Sequence, residues 1–521
     1  MTDSVIMDAL PGEPTLSDLD DAARQRRFEA LQDRMQAVWN AMKLDLDDES
    51  VVIVPSIATS KPAPGVTQAY EERFLFLLLL LRQPRLRMIY VTSMPINPRV
   101  IEYYLALLPG VIPSHALARL TLVSTGDPSD RPLSEKLLER PRLLARIAAH
   151  IPNRSRCHLI PYSTTADERD IALALGIPMY GADPRLADLG SKTGCRRLFA
   201  ECGVVHPLGA EDLHSLQEVT DAIGDMLAVR PSISQVIIKT NEGVSGSGNA
   251  LVDLAGIVDL PESERRSAIG SRVRAMQLES SKVPLDMYVA KFEQGGGIVE
   301  ERIVGEELRS PSVQLRARPD GSVELLSTHD QLLGGASGQS YLGCTFPADP
   351  AYAAAITRDA AKVGDLLRDA GVVGRFALDF VVTRENDSAP WETYAIEINL
   401  RKGGTTHPFL TLQFLTGGAY DPESASFATP NGRKKFLVAS DHVESPRYRG
   451  FTPDDLFDIV VRRGLHFGQV RQTGVVFHML SALGSAGCLG LTAVGDTPEE
   501  ARAIFEKTEA ALEEEARFDQ F

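Results

Sequence analysis

Cysteine is scarce in this 521-residue chain: Cys157, Cys195, Cys202, Cys344 and Cys488 are scattered, odd in number, and form no C-x-x-C pair. That argues against a disulfide framework or a zinc ribbon, and reduced thiols in a cytoplasm are the expected state. Positive charge is also short, with 54 Lys and Arg against 70 Asp and Glu and a formal net charge of −16. A generic nucleic-acid or anionic-membrane binder needs a basic surface, so neither partner is expected, although local basic pockets remain compatible. Long apolar runs are missing as well. "FLFLLLLL" (Phe74–Leu81) is too short to span a bilayer and reads as the buried part of a core helix. The acidic start, "MTDSVIMDALPGEPTLSDLDD", lacks the basic end and apolar run of a signal peptide, which again points to the cytoplasm.

What is present is ordinary for a globular protein: 44% hydrophobic and 24% charged residues, with length for two to four domains. Residues 1–45 read as a polar leader with a helical stretch over 22–42. From 46 to 185, short β-rich runs (51–56, 87–93, 120–125 and 158–164) alternate with helical patterns such as 133–151. That alternation predicts an α/β domain with an open, mainly parallel sheet. No G-x-G-x-x-G follows its first strand, so it is not read as a dinucleotide domain. Helices are expected around 186–230. Strand, glycine-rich turn and strand follow over 235–254, and β-rich segments over 285–331. A helix over 353–371 precedes two strands, 375–383 and 391–399, that read as an antiparallel hairpin, giving this part an α+β character. The last hundred residues carry strands near 435–443, 474–483 and 490–495 and a closing helix capped by Thr497.

Three stretches carry chemistry. In "YAIEINLRKGGTTHP" (Tyr394–Pro408), Glu397, Asn399 and Arg401 recur at the strand period and so share a face, while Ala395, Ile396, Ile398 and Leu400 supply apolar packing. Folding of the hairpin sets Asp379 opposite Glu397. Two carboxylates and an amide, without His or Cys, suit a hard cation such as Mg²⁺; a solvated sheet face is the plainer reading. In "IIKTNEGVSGSGN", Lys239 precedes Gly243, Gly246 and Gly248, as in a flap closing over phosphates, or in an ordinary flexible turn. The glycines are not followed by G-K-[ST], so this is no Walker A loop. In "IVEERIVGEEL", the acidic residues fit either a solvated face or a hinge that reads a nucleotide.

The order of these stretches resembles the ATP-grasp superfamily of carboxylate–amine ligases over roughly 186–420, with D-alanine–D-alanine ligase as the motif template. The resemblance implies that Lys192 in "GSKTGCRRLF" and Lys239 contact ATP phosphates, with Glu242, Gly243 and Ser245 on the flap. It implies Glu300 near the adenine amino group, Glu301 and Ile303 as backbone hinge, and Glu307 on the ribose. Asp379, Glu397 and Asn399 then hold Mg²⁺ (or Mn²⁺), and Gly403–His407 line the acceptor site. Ala377 departs from the pattern, which has arginine there, so Arg401 or Arg375 takes over the phosphate oxygens; Arg401 and Lys239 are the expected catalytic residues. In layout the chain is similar to pheganomycin-type peptide ligases. That similarity implies a Rossmann-like pre-ATP-grasp domain (46–185), an ATP-grasp core (186–425) and a C-terminal α/β segment (426–521) packed on it. The implied activity joins a small carboxylate to an amine or peptide through an acyl phosphate, with Gly334–Gly343 as a candidate second lid. A non-catalytic or regulatory ATP-binding protein of the same fold is the alternative. The sequence leaves the two substrates and the oligomeric state open.

Overall fold

The structure, a computed structural model, describes residues 16–44, 48–57, 66–243, 248–279, 283–334 and 340–518. The N-terminal layer is a four-stranded parallel sheet of β1 (Glu49–Val54), β2 (Leu86–Thr92), β3 (Leu120–Ser124) and β4 (Cys157–Pro161), in the order β3-β2-β1-β4. All six residues of β1 are buried, as expected of a strand covered on both faces. The leader helices Asp21–Gln32 and Met35–Leu44 dock on this layer, with Phe28 buried and Arg24 Nη1 2.6 Å from Asp170.

A five-stranded antiparallel sheet follows, in the order β5-β9-β6-β7-β8, from β5 (Gly209–Leu213), β6 (Gln235–Thr240), β7 (Asn249–Asp253), β8 (Gln277–Leu278) and β9 (Gly297–Glu301). The third sheet has nine strands. β10 (Glu307–Arg309), β11 (Pro311–Ala317), β12 (Val323–Gly334), β13 (Ser340–Phe346), β14 (Gly374–Arg384) and β15 (Glu392–Asn399) come from the middle of the chain. The small pair β16 (Ala419–Asp421) and β17 (Ser426–Ala428) stands apart from it. β18 (Phe436–Glu444), β19 (Gly474–His478) and β20 (Cys488–Gly495) then extend the large sheet, because β18 pairs directly with β13. The C-terminal hundred residues therefore continue the same sheet.

Several expectations are corrected. The pattern over 133–151 is two helices, Leu133–Leu138 and Pro141–Ala149, since Pro141 lacks an N–H and starts a helix more readily than it continues one. The apolar run does form a buried helix, of the 3₁₀ type (Leu75–Arg82), and all its leucines except the partly buried Leu80 are buried between the N-terminal layer and the C-terminal strands. β5 interrupts the helices expected over 186–230. Leu285–Gly295, read among β-rich segments, is a helix whose Tyr288 and Phe292 bury one face at i, i+4 spacing. No helix among the described residues is long and apolar enough to cross a membrane.

Candidate active site

The sheets and the N-terminal layer enclose a cavity of about 1220 Å³. Small-molecule pockets usually measure roughly 300–1,000 Å³, so there is room for a nucleotide together with a second substrate.

At one end stand two lysines from different elements. Ser191 caps the helix Lys192–Glu201 by accepting from Gly194 N at 2.9 Å. A Cβ on Gly194 would meet the Asp188 carbonyl at 1.9 Å, so this tight helix start tolerates only glycine there. The turn delivers Lys192, buried, onto Glu397 as an ion pair. Burial alone would lower the Lys192 pKa, yet the Glu397 carboxylate outweighs it and keeps the ammonium above its usual value. Lys239, near the end of β6, places Nζ 2.5 Å from Glu300 Oε1 on the neighbouring β9. Arg196 Nη1 stands 3.7 Å from the other Glu300 oxygen.

Glu242, Gly243, Glu301 and Ile303 line the same end. The Glu301 carboxylate is turned onto Arg230 and accepts Leu208 N at 2.8 Å, while its backbone N–H donates to the Leu208 carbonyl at 2.8 Å, so neither group is free to serve a ligand. Glu307 lies on β10 with its carboxylate 2.6 Å from Arg384 Nε, while its neighbours Gly305 and Leu308 reach the cavity wall. A Glu307 contact with ribose would require release from Arg384. Ser245, Gly246 and half of the glycine-rich second lid (335–339) lie outside the described residues.

The hairpin β14–β15 pairs Asp379 with Glu397 and Ala377 with Asn399, as the strand-period argument requires. A register shift between Asp379 and Phe380 then places Ile396 on the cavity wall beside Glu397, instead of in the apolar packing expected for it. Such a bulge re-aims side chains next to a site. Asp379 accepts from Asn399 Nδ2 at 3.0 Å and from Gln331 Nε2 at 2.9 Å. Burial first, and then the facing Glu397 charge, push the Asp379 carboxyl up to about 6. A divalent cation would relieve that crowding of negative charge. The donors are all oxygens once the Asn399 amide turns its carbonyl inward, so the set fits Mg²⁺.

Arg401 follows the strand and lines the cavity. Its guanidinium donates to the Lys402 carbonyl at 3.1 Å and lies over the Tyr162 ring, 5.8 Å from the centroid. Arg375, the other arginine expected at the phosphates, is absent from the described lining and packs with Arg316 and Tyr180. Burial and the Arg316 charge lower it to about 10. Gly403, Gly404 and Thr405 line the cavity, whereas His407 sits behind the wall.

Sequence reasoning missed what the N-terminal layer contributes. Arg73, beside the apolar run, donates to Tyr162 Oη at 3.0 Å and to Asp441 Oδ2 at 2.7 Å, and all three line the cavity. Burial would raise the Tyr162 pKa, but the flanking Arg73 and Arg401 charges hold it below its ordinary value. Nothing local marks these residues, since Arg73 and Asp441 are 368 positions apart. Tyr341 of β13 closes one side by packing on Gly404, where a Cβ would meet its ring at 2.5 Å.

Residues 184–285 and 283–423 match the family described as IQCH-like, ATP-grasp, and 455–508 match the PGM1 C-terminal domain. The middle of the chain, residues 184–423, is thus similar to the ATP-grasp family. Among curated relatives, the L-propargylglycine–L-glutamate ligase of Streptantibioticus cattleyicolor is 28% identical over 450 residues, covering 85% of this chain and 89% of the relative. IQ motif-containing protein H of Danio rerio is 24% identical over 455 residues, 78% of this chain, which spans 43% of that longer protein. Two solved structures share the fold. An ADP complex of N5-carboxyaminoimidazole ribonucleotide synthetase has a TM-score of 0.51 at 11% identity, covering 91% of this chain and 98% of that one. Biotin carboxylase from Campylobacter jejuni has a TM-score of 0.53 at 14% identity, covering 88% and 90%.

Proposed function

We propose that the protein is an ATP-dependent carboxylate–amine ligase that joins an amino-acid carboxylate to the amine of a second amino acid or peptide. One observation carries this reading: Lys192, Lys239, Asp379, Glu397, Asn399 and Arg401 face a single cavity. The relative whose name describes joining L-propargylglycine to L-glutamate supports amino acids as the substrate class.

A carboxylate oxygen is a poor leaving group, so the carboxylate must first be activated. In the proposed reaction one of its oxygens attacks the γ-phosphorus of ATP, and ADP leaves. The amine then attacks the acyl carbon, loses a proton and expels phosphate. Lys239 and Lys192 hold the phosphates from two sides, each exchanging a carboxylate partner for phosphate oxygens as the nucleotide enters. Asp379, Glu397 and Asn399 would hold Mg²⁺, which when bound neutralises charge on the phosphates. Arg401, a permanently charged fork without a carboxylate partner among its described contacts, takes the oxygens of the transferring phosphoryl group. Arg73 and Tyr162 supply positive charge and a hydroxyl at the far end, suited to a substrate carboxylate. The flap around Gly243 excludes water that would hydrolyse the acyl phosphate.

A non-catalytic ATP-binding protein would have no use for Arg401 beside a complete metal-ligand set. ADP release measured against a matrix of amino acids tests the reading. Release that requires both a carboxylate and an amine supports a ligase, whereas binding of ATP without any substrate-dependent release points to a binder.

A further inference from the structure

Behind the far wall of the cavity, three buried side chains from separate segments bring one atom each to a common point. His407 lies in the first turn of the helix Thr406–Thr416, Asp441 lies on β18, and His478 ends β19. The two Nε2 atoms are 3.0 Å apart. Asp441 Oδ1 is 2.7 Å from His478 Nε2 and 3.1 Å from His407 Nε2. Each residue is 3–4% exposed. The backbone is built to admit them: a Cβ on Gly490, paired with His478 across β19–β20, would stand 2.1 Å from the His478 ring.

Protons alone satisfy this triangle badly. If both Nε2 atoms carry hydrogen and donate to Asp441, two N–H groups face each other across 3.0 Å. If His407 donates to His478, a bare nitrogen lone pair faces the Asp441 carboxylate at 2.7 Å. A single cation answers all three lone pairs at once. Zinc bonds to histidine nitrogen and carboxylate oxygen of about 2.0–2.2 Å, at near-tetrahedral angles, set ligand atoms a little over 3 Å apart. The two edges at His407 need to open by about 0.2–0.3 Å and the Asp441–His478 edge by about 0.6 Å.

We infer that His407, Asp441 and His478 form a binding site for one divalent transition-metal ion of the zinc class, distinct from the oxygen-lined Mg²⁺ site. Two imidazoles and one carboxylate suit zinc better than magnesium, which prefers oxygen throughout. Arg73 holds the second Asp441 oxygen at 2.7 Å and leaves Oδ1 to the ion, an outer contact of the kind that orients ligating carboxylates. Of the three ligands only Asp441 reaches the cavity wall, so the ion is a clamp rather than a reaction centre. It ties the helix after the "GGTTH" segment to the C-terminal strands, and through Asp441 to Arg73 of the N-terminal layer.

The test needs no ATP and no turnover. The full-length protein is stripped with a chelator, reloaded with Zn²⁺ or Co²⁺, desalted and analysed for metal. One equivalent should be retained in the presence of excess Mg²⁺, Co²⁺ should give the visible bands of a nitrogen-ligated, low-coordinate ion, and zinc should raise the unfolding temperature. His478→Asn and His407→Asn should weaken retention by more than the ~10–100-fold lost on altering a supporting residue, while Glu397→Gln should retain zinc as the parent does. A parent protein that holds neither metal at stoichiometric level overturns the proposal without reference to any variant. So does retention unchanged in both histidine variants.

Discussion

Replacing Lys239 with methionine should have two separable effects, one on folding and one on ATP. The Lys239–Glu300 pair is buried, with side chains 7% and 3% exposed. Removing one partner of such a pair costs about 3–5 kcal/mol where the other charge is left uncompensated. Arg196, 3.7 Å from the remaining Glu300 oxygen, retains part of that compensation, so a loss at the low end, about 3 kcal/mol, is expected. ATP binding loses a charge-assisted contact of about 1.5–3 kcal/mol, roughly a ten- to hundredfold rise in Kd. The double variant Lys239→Met/Glu300→Gln removes both charges. It should recover most of the stability and none of the ATP affinity. Denaturant unfolding reads the first quantity and calorimetry with ATP the second. Affinity that returns together with stability would mean that Lys239 acts on ATP only through the fold. Unchanged affinity in the single variant would remove Lys239 from the phosphates altogether.

Other outcomes follow from the same geometry. Glu397→Gln should abolish Mg²⁺-dependent turnover in protein that still folds, with some loss of stability because buried Lys192 loses its carboxylate partner, and turnover near the parental rate would exclude Glu397 as a ligand. Arg401→Lys should lower kcat far more than it weakens ATP binding, because the fork is needed as charge shifts in the transition state; single-turnover product formation at the parental rate would make Arg401 structural. Lys402 is buried and donates to the Pro161 carbonyl at 2.6 Å. Burial, and then the Arg375 charge, lower it to about 7, below its unfolded value of 10.5. Between those values the unfolded chain binds the extra proton, so stability should rise as pH rises through that window. Lys402→Met should flatten the rise, and an equally steep profile in that variant would place the titration elsewhere.

Much of the geometry around Lys239, Asp379, Glu397 and Asn399 was legible because its signals are local. The alternation of Glu397 and Asn399 fixes a face, and hairpin register sets Asp379 opposite. The glycines after Lys239 mark a turn wherever the strand lies. The bulge at Phe380 was invisible, since it depends on pairing between strands, and it changes the surroundings of Ile396. The helix Leu285–Gly295 was hidden because Tyr288, Val289, Ala290 and Phe292 suit a strand as readily as a helix face until packing decides. The far end was not legible at all. Arg73, Tyr162, Asp441 and His478 meet only after four segments fold together, and none lies in a stretch whose spacing announces chemistry. His407 was expected as lining of the acceptor site, and the structure instead sets it one layer behind, against Asp441 and His478.

The most direct test of carboxylate activation follows oxygen rather than rate. The protein is supplied with ATP, Mg²⁺, an amine and an amino acid whose carboxylate carries ¹⁸O in both positions, and the released phosphate is analysed. Attack of the carboxylate on the γ-phosphorus predicts ADP as the nucleotide product and one ¹⁸O atom in each phosphate formed with the amide. Phosphate free of ¹⁸O, or AMP and pyrophosphate in place of ADP, would contradict it.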